Sequence, residues 1–433
     1  MLKFLGMLVV GIVTSFYFFP IEFTFLPGVN TKMALAGFSL LLLGIQLAQG
    51  KRASLDKYMF RLSAIAAVVS FIALIAITYN DTPIYTYATY IVSMRVWMGG
   101  AYVVANLIRA LYGKLTIELV CNFLIGVCVA QCIFALLIDN QPAFKNIVNT
   151  YVSGFGFVDM NMLNDIERLY GIGAALDVAG LRFSTVLVAI AYLSSRIDSN
   201  RKKKKMVLYL LAFVFIALVG NMMSRTTSIG IGLALFYWCI RWFAKTPEAK
   251  ANNRCLWLWL TVILLVCVPL IVWQYQIDGN IRQNIRFAFE GFFSLAEEGT
   301  WNVHSNNILK NMVVFPDNLK TWLIGDGYFD NPFGTDPYYT GPNFGGFYKN
   351  TDIGYLRFVF YFGVIGLLAF IYFFLDSTRI CIQKFPMYRC FFLFILSVNL
   401  IGWFKVSSDI FPIYALFMVP LYSNDVTKNI DRR

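Results

Sequence analysis

Residues 201–223 read RKKKKMVLYLLAFVFIALVGNMM. Five basic side chains are followed by about 18 mostly apolar residues, close to the length a helix needs to cross a hydrocarbon core of about 30 Å. Lysine and arginine collect on the cytoplasmic flank of such a helix, so this stretch predicts both a span and its direction. Comparable runs lie near 3–20, 32–48, 62–79, 84–107, 115–138, 176–195, 207–223, 227–243, 256–275, 352–375, 390–404 and 409–422. They predict an all-α polytopic membrane protein with about 12 transmembrane helices. The composition agrees: 58% hydrophobic, 17% aromatic and 14% charged residues, with a mean hydropathy of +0.64, describe a chain solvated mainly by lipid.

Counting outward from the RKKKK run orients the remaining spans. With the N-terminus inside, the inner segments hold Lys3; Lys51, Arg52, Lys57 and Arg61; Arg109 and Lys114; Arg196 and 201–205; Arg241, Lys245, Lys250 and Arg254; Arg379, Lys384 and Arg389; and Lys428, Arg432 and Arg433. These are most of the 36 basic residues, so both termini are expected in the cytoplasm. The formal charge of +12 then reflects topology and contact with anionic lipid headgroups. A nucleic-acid partner would need basic residues on a folded soluble domain, and the sequence predicts no such domain. Residues 1–20 are followed by PIEFTFLPG, which lacks a small-x-small cleavage pattern, so they read as a retained first span. On this topology the chain divides into N-terminal helices (1–138), an external interfacial segment (139–175), central helices (176–275), a long external loop (276–351), and C-terminal helices with a cytoplasmic tail (352–433).

Cys121, Cys128, Cys132, Cys239, Cys255, Cys267, Cys381 and Cys390 all fall in expected spans or at their cytoplasmic ends. They read as small apolar packing residues rather than as disulfides or metal ligands. The segment 139–175 carries Asp159, Asp165, Glu167 and Arg168. In the long loop acidic residues outnumber basic ones, and Trp301, Trp322, Phe329, Tyr338, Tyr339, Phe344, Phe347 and Tyr348 are interspersed with Asn and Gly. Such a mixture suits sugars, since rings stack on pyranose faces while amides and carboxylates read hydroxyls; Trp301 in the loop and Tyr355 just beyond it are the substrate-binding candidates. The same mixture also makes an interfacial aromatic belt. Loops of this length are commonly functional, and this one holds the single histidine, His304.

Arginines inside spans or at their external rims carry the next step, because an intramembrane cation is expensive and faces a cavity or a partner. Arg225, in NMMSRTTSIGIG, lies in a very short external turn among hydroxyls and glycines, and Arg182 sits six residues into its span. With Arg357, and with Arg286 in the loop, they are candidates to grip a diphosphate through forked contacts. The blander reading is an arginine snorkelling to external headgroups. Arg95 is mid-span, and its nearest candidate partner, Glu118, lies deeper toward the cytoplasm, so it is assigned none.

The succession of an SR-T-T-S-x-G turn between two spans, a long loop ending in LIGDGYF (323–329), and TDIGYLRFVFYFGVIGLLAF (351–370) resembles the O-antigen polymerase and ligase superfamily, the Wzy-type polymerases in particular. The likeness covers roughly the C-terminal 60% of the chain through motif order; the N-terminal spans match only as hydrophobic helices. It implies a GT-C-like bundle whose active site faces outward at the bacterial inner membrane. It implies substrates that are glycans on undecaprenyl diphosphate, with a chain-length regulator as a further partner. In the family the arginine of the SR turn is thought to engage the lipid diphosphate; the matching residue is Arg225. Ligases carry a His-Asn pair entering the span after the loop, where this chain reads Asn350, Thr351 and Asp352. His304 lies instead at WNVHSNN, where family members often place an arginine, and that departure favours a polymerase.

Independently of the likeness, glycosyl transfer from a lipid diphosphate needs positive charge where the leaving group develops negative charge, which Arg225 and Arg182, with Arg357 or Arg286, would supply. The attacking hydroxyl needs a base, for which Asp352 and His304 are the candidates. Asp352 opens a span, where a helix N-terminus favours an anion; plain N-capping by Thr351 or Asp352 is the blander reading. External segments hold no DxD pair or metal-type ligand cluster, and no G-x-x-x-x-G-K-[ST] sequence occurs, so neither metal nor other cofactor is expected. The competing readings are an O-antigen ligase acting on a lipid A core, a lipid-linked oligosaccharide flippase, which should show internal repeats, and a non-catalytic membrane protein with a docking loop.

Overall fold

The structure is a computed structural model that describes residues 2–49, 57–155, 158, 160–165, 168–197, 203–243, 247–331 and 346–420. Lys51, Arg52, Asp159, Glu167, Arg201, Lys202, Lys245, Tyr338, Tyr339, Phe344, Lys428, Arg432 and Arg433, singled out above, lie outside the described residues, as does the C-terminal tail.

The chain begins with α1 (Leu2–Phe18), β1 (Glu22–Phe23), α2 (Thr31–Ala48), α3 (Lys57–Tyr79), α4 (Tyr90–Tyr112), α5 (Ile117–Asn140), α6 (Pro142–Tyr151), β2 (Val152–Gly154) and α7 (Met160–Asp165). It continues with α8 (Leu176–Ser194), α9 (Lys203–Met223), α10 (Thr227–Trp242), α11 (Pro247–Ile277), α12 (Gly279–Ala288), α13 (Glu290–Glu298), α14 (His304–Asn311) and α15 (Leu319–Leu323). The last elements are α16 (Gly354–Lys384), α17 (Arg389–Gly402) and α18 (Phe411–Met418). Among the described residues eight helices, α2, α3, α4, α5, α8, α9, α11 and α16, are long and apolar enough to cross a membrane. The chain is an all-α polytopic membrane protein, and among the described residues its one sheet is the short antiparallel pairing of β1 with β2. The other four apolar stretches fall on α1, α10, α17 and α18, which are shorter.

Packing groups the helices differently from the five sequential segments. One compact unit holds Met1–Ser39 and Gly100–Trp301, and another holds Leu40–Gly99 and Asn302–Pro420. In the first, α8 is central: its residues from Ala179 to Ser194 are buried on every face. Small residues let α10 approach it, since a Cβ at Gly230 would overlap the Ser184 backbone. The Ser184 hydroxyl donates to the Thr226 carbonyl at 3.0 Å and accepts from the Gly230 amide at 3.0 Å. Trp238, fully buried, donates from its indole to the Ala191 carbonyl at 3.1 Å.

In the second unit an aromatic core of Phe358, Phe362, Phe370, Phe374 and Trp403 fills the space around α16. Arg61 of α3 pairs with the buried Asp376 of α16. The expected span 352–375 is not continuous: α16 breaks at Phe362 and Gly363, where Gly363 takes φ 70°, ψ −179°. A break frees carbonyls that lipid cannot satisfy, so it is tolerated only where protein covers it. The cover is LIGDGYF. The Asp326 amide donates to the Phe360 carbonyl at 2.6 Å, and the Gly327 amide to that of Tyr361 at 3.1 Å. Beyond the break α16 still has about 20 residues, roughly 30 Å, so that part alone can span.

The described residues of segment 276–351 include four short helices. Of these, α12 and α13 belong to the first unit, and α14 and α15 belong to the second. Asp278 caps α12 by accepting the Asn280 and Ile281 amides, and Asn318 caps α15 by accepting that of Thr321.

Candidate anion-binding site

The turn Ser224–Thr226 joins α9 to α10 and packs on the first turn of α8, where Asp177 resides. The Ser224 hydroxyl donates to Asp177 Oδ1 at 2.8 Å, and the Thr226 hydroxyl donates to the same oxygen. Gly180, one helical turn on, is required there because a Cβ would lie 2.7 Å from Ser224 Oγ. With both flanking side chains tied inward, Arg225 is the residue the turn presents. Its guanidinium lies 4.4 Å from the centroid of the Phe287 ring on α12 and pairs with Glu290 at the start of α13. It also immediately precedes the N-terminus of α10, whose dipole favours an anion.

Arg168 completes the cluster. Its guanidinium lies 5.0 Å from the same Phe287 ring, close enough to Asp177 to be attracted and to Arg225 to be repelled. Sharing one ring keeps the two cations less than about 10 Å apart, within the Debye length near 0.1 M salt. Cation–π contact holds each in place without occupying its N–H fork, and two adjacent forks match the several oxygens of a diphosphate.

The remaining expected residues are placed as follows. Arg182 is 6% exposed and donates to the carbonyl of Phe18, the last residue of α1, with its guanidinium 5.6 Å from the rings of Phe18 and Phe19. Arg286 is joined to Glu297 by two hydrogen bonds of 2.8 and 2.6 Å and donates to the Tyr275 hydroxyl at 3.2 Å. The Arg286 hydrogen bonds hold the Glu297 carboxyl below its usual range. Trp301 covers Gly291, where a Cβ would overlap its ring, and meets Phe292 edge-on at 5.1 Å.

His304, Asp352, Tyr355 and Arg357 belong to the second unit. Arg357 is 7% exposed and lies between the rings of Phe329 and Phe347, at 3.8 and 4.6 Å. It donates to Asp330 at 2.6 Å, to the Ser407 hydroxyl at 2.9 Å and to the Phe329 carbonyl at 3.1 Å, and lies 3.5 Å from Asp352. Asp352 is not the cap of α16: the N-cap is Ile353, without a side-chain hydrogen bond. His304 is exposed at the start of α14. The Tyr355 hydroxyl donates to the Leu400 carbonyl at 2.8 Å, and its ring packs on Trp403 and Phe404.

The structure therefore brings Arg225 together with Arg168, Phe287, Glu290 and Asp177, none of which sequence reasoning assigned to the site. One signal was available, the i, i+3, i+4, i+7 spacing of Asn280, Gln283, Asn284 and Phe287 on one face of α12. Among the described residues no group of three or more His, Cys, Asp or Glu is placed to hold a metal ion. Comparison with protein-family models, curated proteins and solved structures finds no match.

Proposed function

We propose that this protein polymerises glycan repeat units carried on a lipid diphosphate such as undecaprenyl diphosphate, at the external face of a bacterial inner membrane. In this reading about twelve spans form a GT-C-like bundle with both termini cytoplasmic. The observation that carries it is the pair of arginines on Phe287. Two guanidinium forks beside a helix N-terminus would bind a diphosphate and stabilise the charge it gains as it leaves.

The hydroxyl of one lipid-linked unit attacks the anomeric carbon of the other. The new C–O bond forms as the bond to the phosphate oxygen breaks; the electron pair leaves with the diphosphate, and the hydroxyl proton passes to a base. Glu290 pairs with Arg225 and keeps the cation positioned until a diphosphate displaces it. The candidates for the base, Asp352 and His304, belong to the second unit. Arg182, capping α1, and Arg286, paired with Glu297, are read as structural.

Surface polysaccharide from cells with and without the gene tests the proposal. Loss of polymerisation leaves single repeat units attached to the outer carrier. Free polymer accumulating in the deletion strain would instead mean ligation, and unchanged polysaccharide would remove the reading altogether.

A further inference from the structure

A polar cavity of about 380 Å³ opens in the first unit between the end of α5, α6, α7 and α12. Asp139, Lys145, Arg168, Asn280, Gln283 and Asn284 line it. Asn280, Gln283 and Asn284 occupy i, i+3 and i+4 of α12, and Phe287, whose ring holds Arg168 and Arg225, is i+7 on the same face. One helical stripe thus carries three amides toward the arginine pair, over about 10 Å at a rise of about 1.5 Å per residue. Arg168 belongs to both places, lining the cavity and covering the ring.

The chemistry of the lining selects among ligands. Side-chain amides donate and accept, a carboxylate accepts, and lysine and arginine donate, which matches a ring bearing hydroxyls that also do both. An apolar tail would strand these groups without partners. A second anion is disfavoured because Asp139 offsets one of the two cations. Part of the lining is already ordered: Asn284 donates to Asp139 at 3.3 Å, and Tyr170 to Asn164 at 2.9 Å. The volume lies at the low end of small-ligand sites, which begin near 300 Å³.

We propose that this cavity is a saccharide subsite that receives the sugar residue attached directly to the diphosphate held by Arg168 and Arg225. It thereby selects a glycosylated lipid diphosphate over the bare carrier. This rests on the diphosphate reading of the arginine pair.

The test uses the full-length protein in nanodiscs and two probes, undecaprenyl diphosphate and the lipid-linked oligosaccharide extracted from cells lacking the gene. Asn280 and Gln283 are exposed on α12, so the double variant Asn280→Leu, Gln283→Met should keep its fold. Removing two hydrogen-bonding side chains should weaken oligosaccharide binding about tenfold and leave binding of undecaprenyl diphosphate unchanged. Arg225→Lys should weaken both probes alike. If the double variant binds both probes as the parent does, or loses both equally, the subsite is overturned while the Arg225 result still stands for the diphosphate. If Arg225→Lys binds undecaprenyl diphosphate normally, the diphosphate reading falls, and the proposed subsite falls with it.

Discussion

Arg225 owes its role to its two neighbours. Ser224 and Thr226 spend their hydroxyls on Asp177, which leaves Arg225 the one side chain of the turn facing Phe287 and Glu290. An ammonium offers a point charge where a guanidinium offers a planar fork that also stacks on an aromatic face. Arg225→Lys should therefore lower the rate of chain extension about tenfold, and Arg225→Ala about a hundredfold, the scale of losing one donor to a developing anion. Polymer of normal length and amount from well-expressed variants would return Arg225 to headgroup contact. Asp352 lies before the N-cap Ile353 and pairs with Arg357 at 3.5 Å. Asp352→Asn should leave the protein abundant and abolish extension, because an amide cannot take a proton, whereas His304→Ala should reduce extension less. Polymer ladders on gels from the two strains check this, and the reverse ranking would make His304 the base. At this scale the sequence made Arg225 legible, through a charged residue in a turn too short to hide it. Arg168 stayed hidden, because its partnership with Phe287 joins residues far apart in the chain.

Breaks and docked segments decide the behaviour of the elements. Gly363 interrupts α16 at φ 70°, ψ −179°, a conformation almost confined to glycine, and a Cβ there would overlap the Leu323 carbonyl. Gly325 at φ 86° faces the same break from the LIGDGYF side, and Gly327 at φ 74° packs there against Thr82 and the end of α3. Asp326 secures that docking, accepting from Thr321 at 2.6 Å, Lys320 at 3.0 Å and Tyr348 at 3.3 Å. Gly363→Ala should thus cost at least about 1–3 kcal/mol for the backbone alone, seen as a lowered unfolding temperature in detergent. Gly37→Ala in α2, where a Cβ meets nothing within 4 Å, is the control and should leave that temperature unchanged or slightly raised. Equal melting of the two variants would show that the break is not held as described. Hydropathy alone reads 352–375 as one span, because a glycine within an apolar run is tolerated in helices. The amides that cover the broken carbonyls come from residues 326 and 327, outside any local window.

At the scale of the molecule the expectation that can be tested directly is orientation. If the RKKKK side is cytoplasmic, a cysteine replacing Ser305 in a variant lacking the native cysteines should react with an impermeant thiol reagent in whole cells, and one replacing Lys203 should not. Ser305 lies on α14 and Lys203 opens α9, both outside the apolar cores of the spans. Equal labelling or equal protection would break the topology and the mechanism built on it.

The sequence by itself determined that the chain is helical and lives in lipid, and among the described residues eight of the apolar stretches form helices long enough to cross it. That much is legible because the hydrocarbon core imposes a length and a polarity that each segment meets alone. Only the tertiary structure decided that the described part of 276–351 carries short helices, α12 and α13 in one packing unit and α14 and α15 in the other, that α16 is broken, and that Arg168 and Arg225 meet on one ring. Those outcomes depend on side chains and carbonyls finding partners hundreds or tens of residues away. No periodicity in a single segment encodes such a pairing, which exists only once the helices have packed.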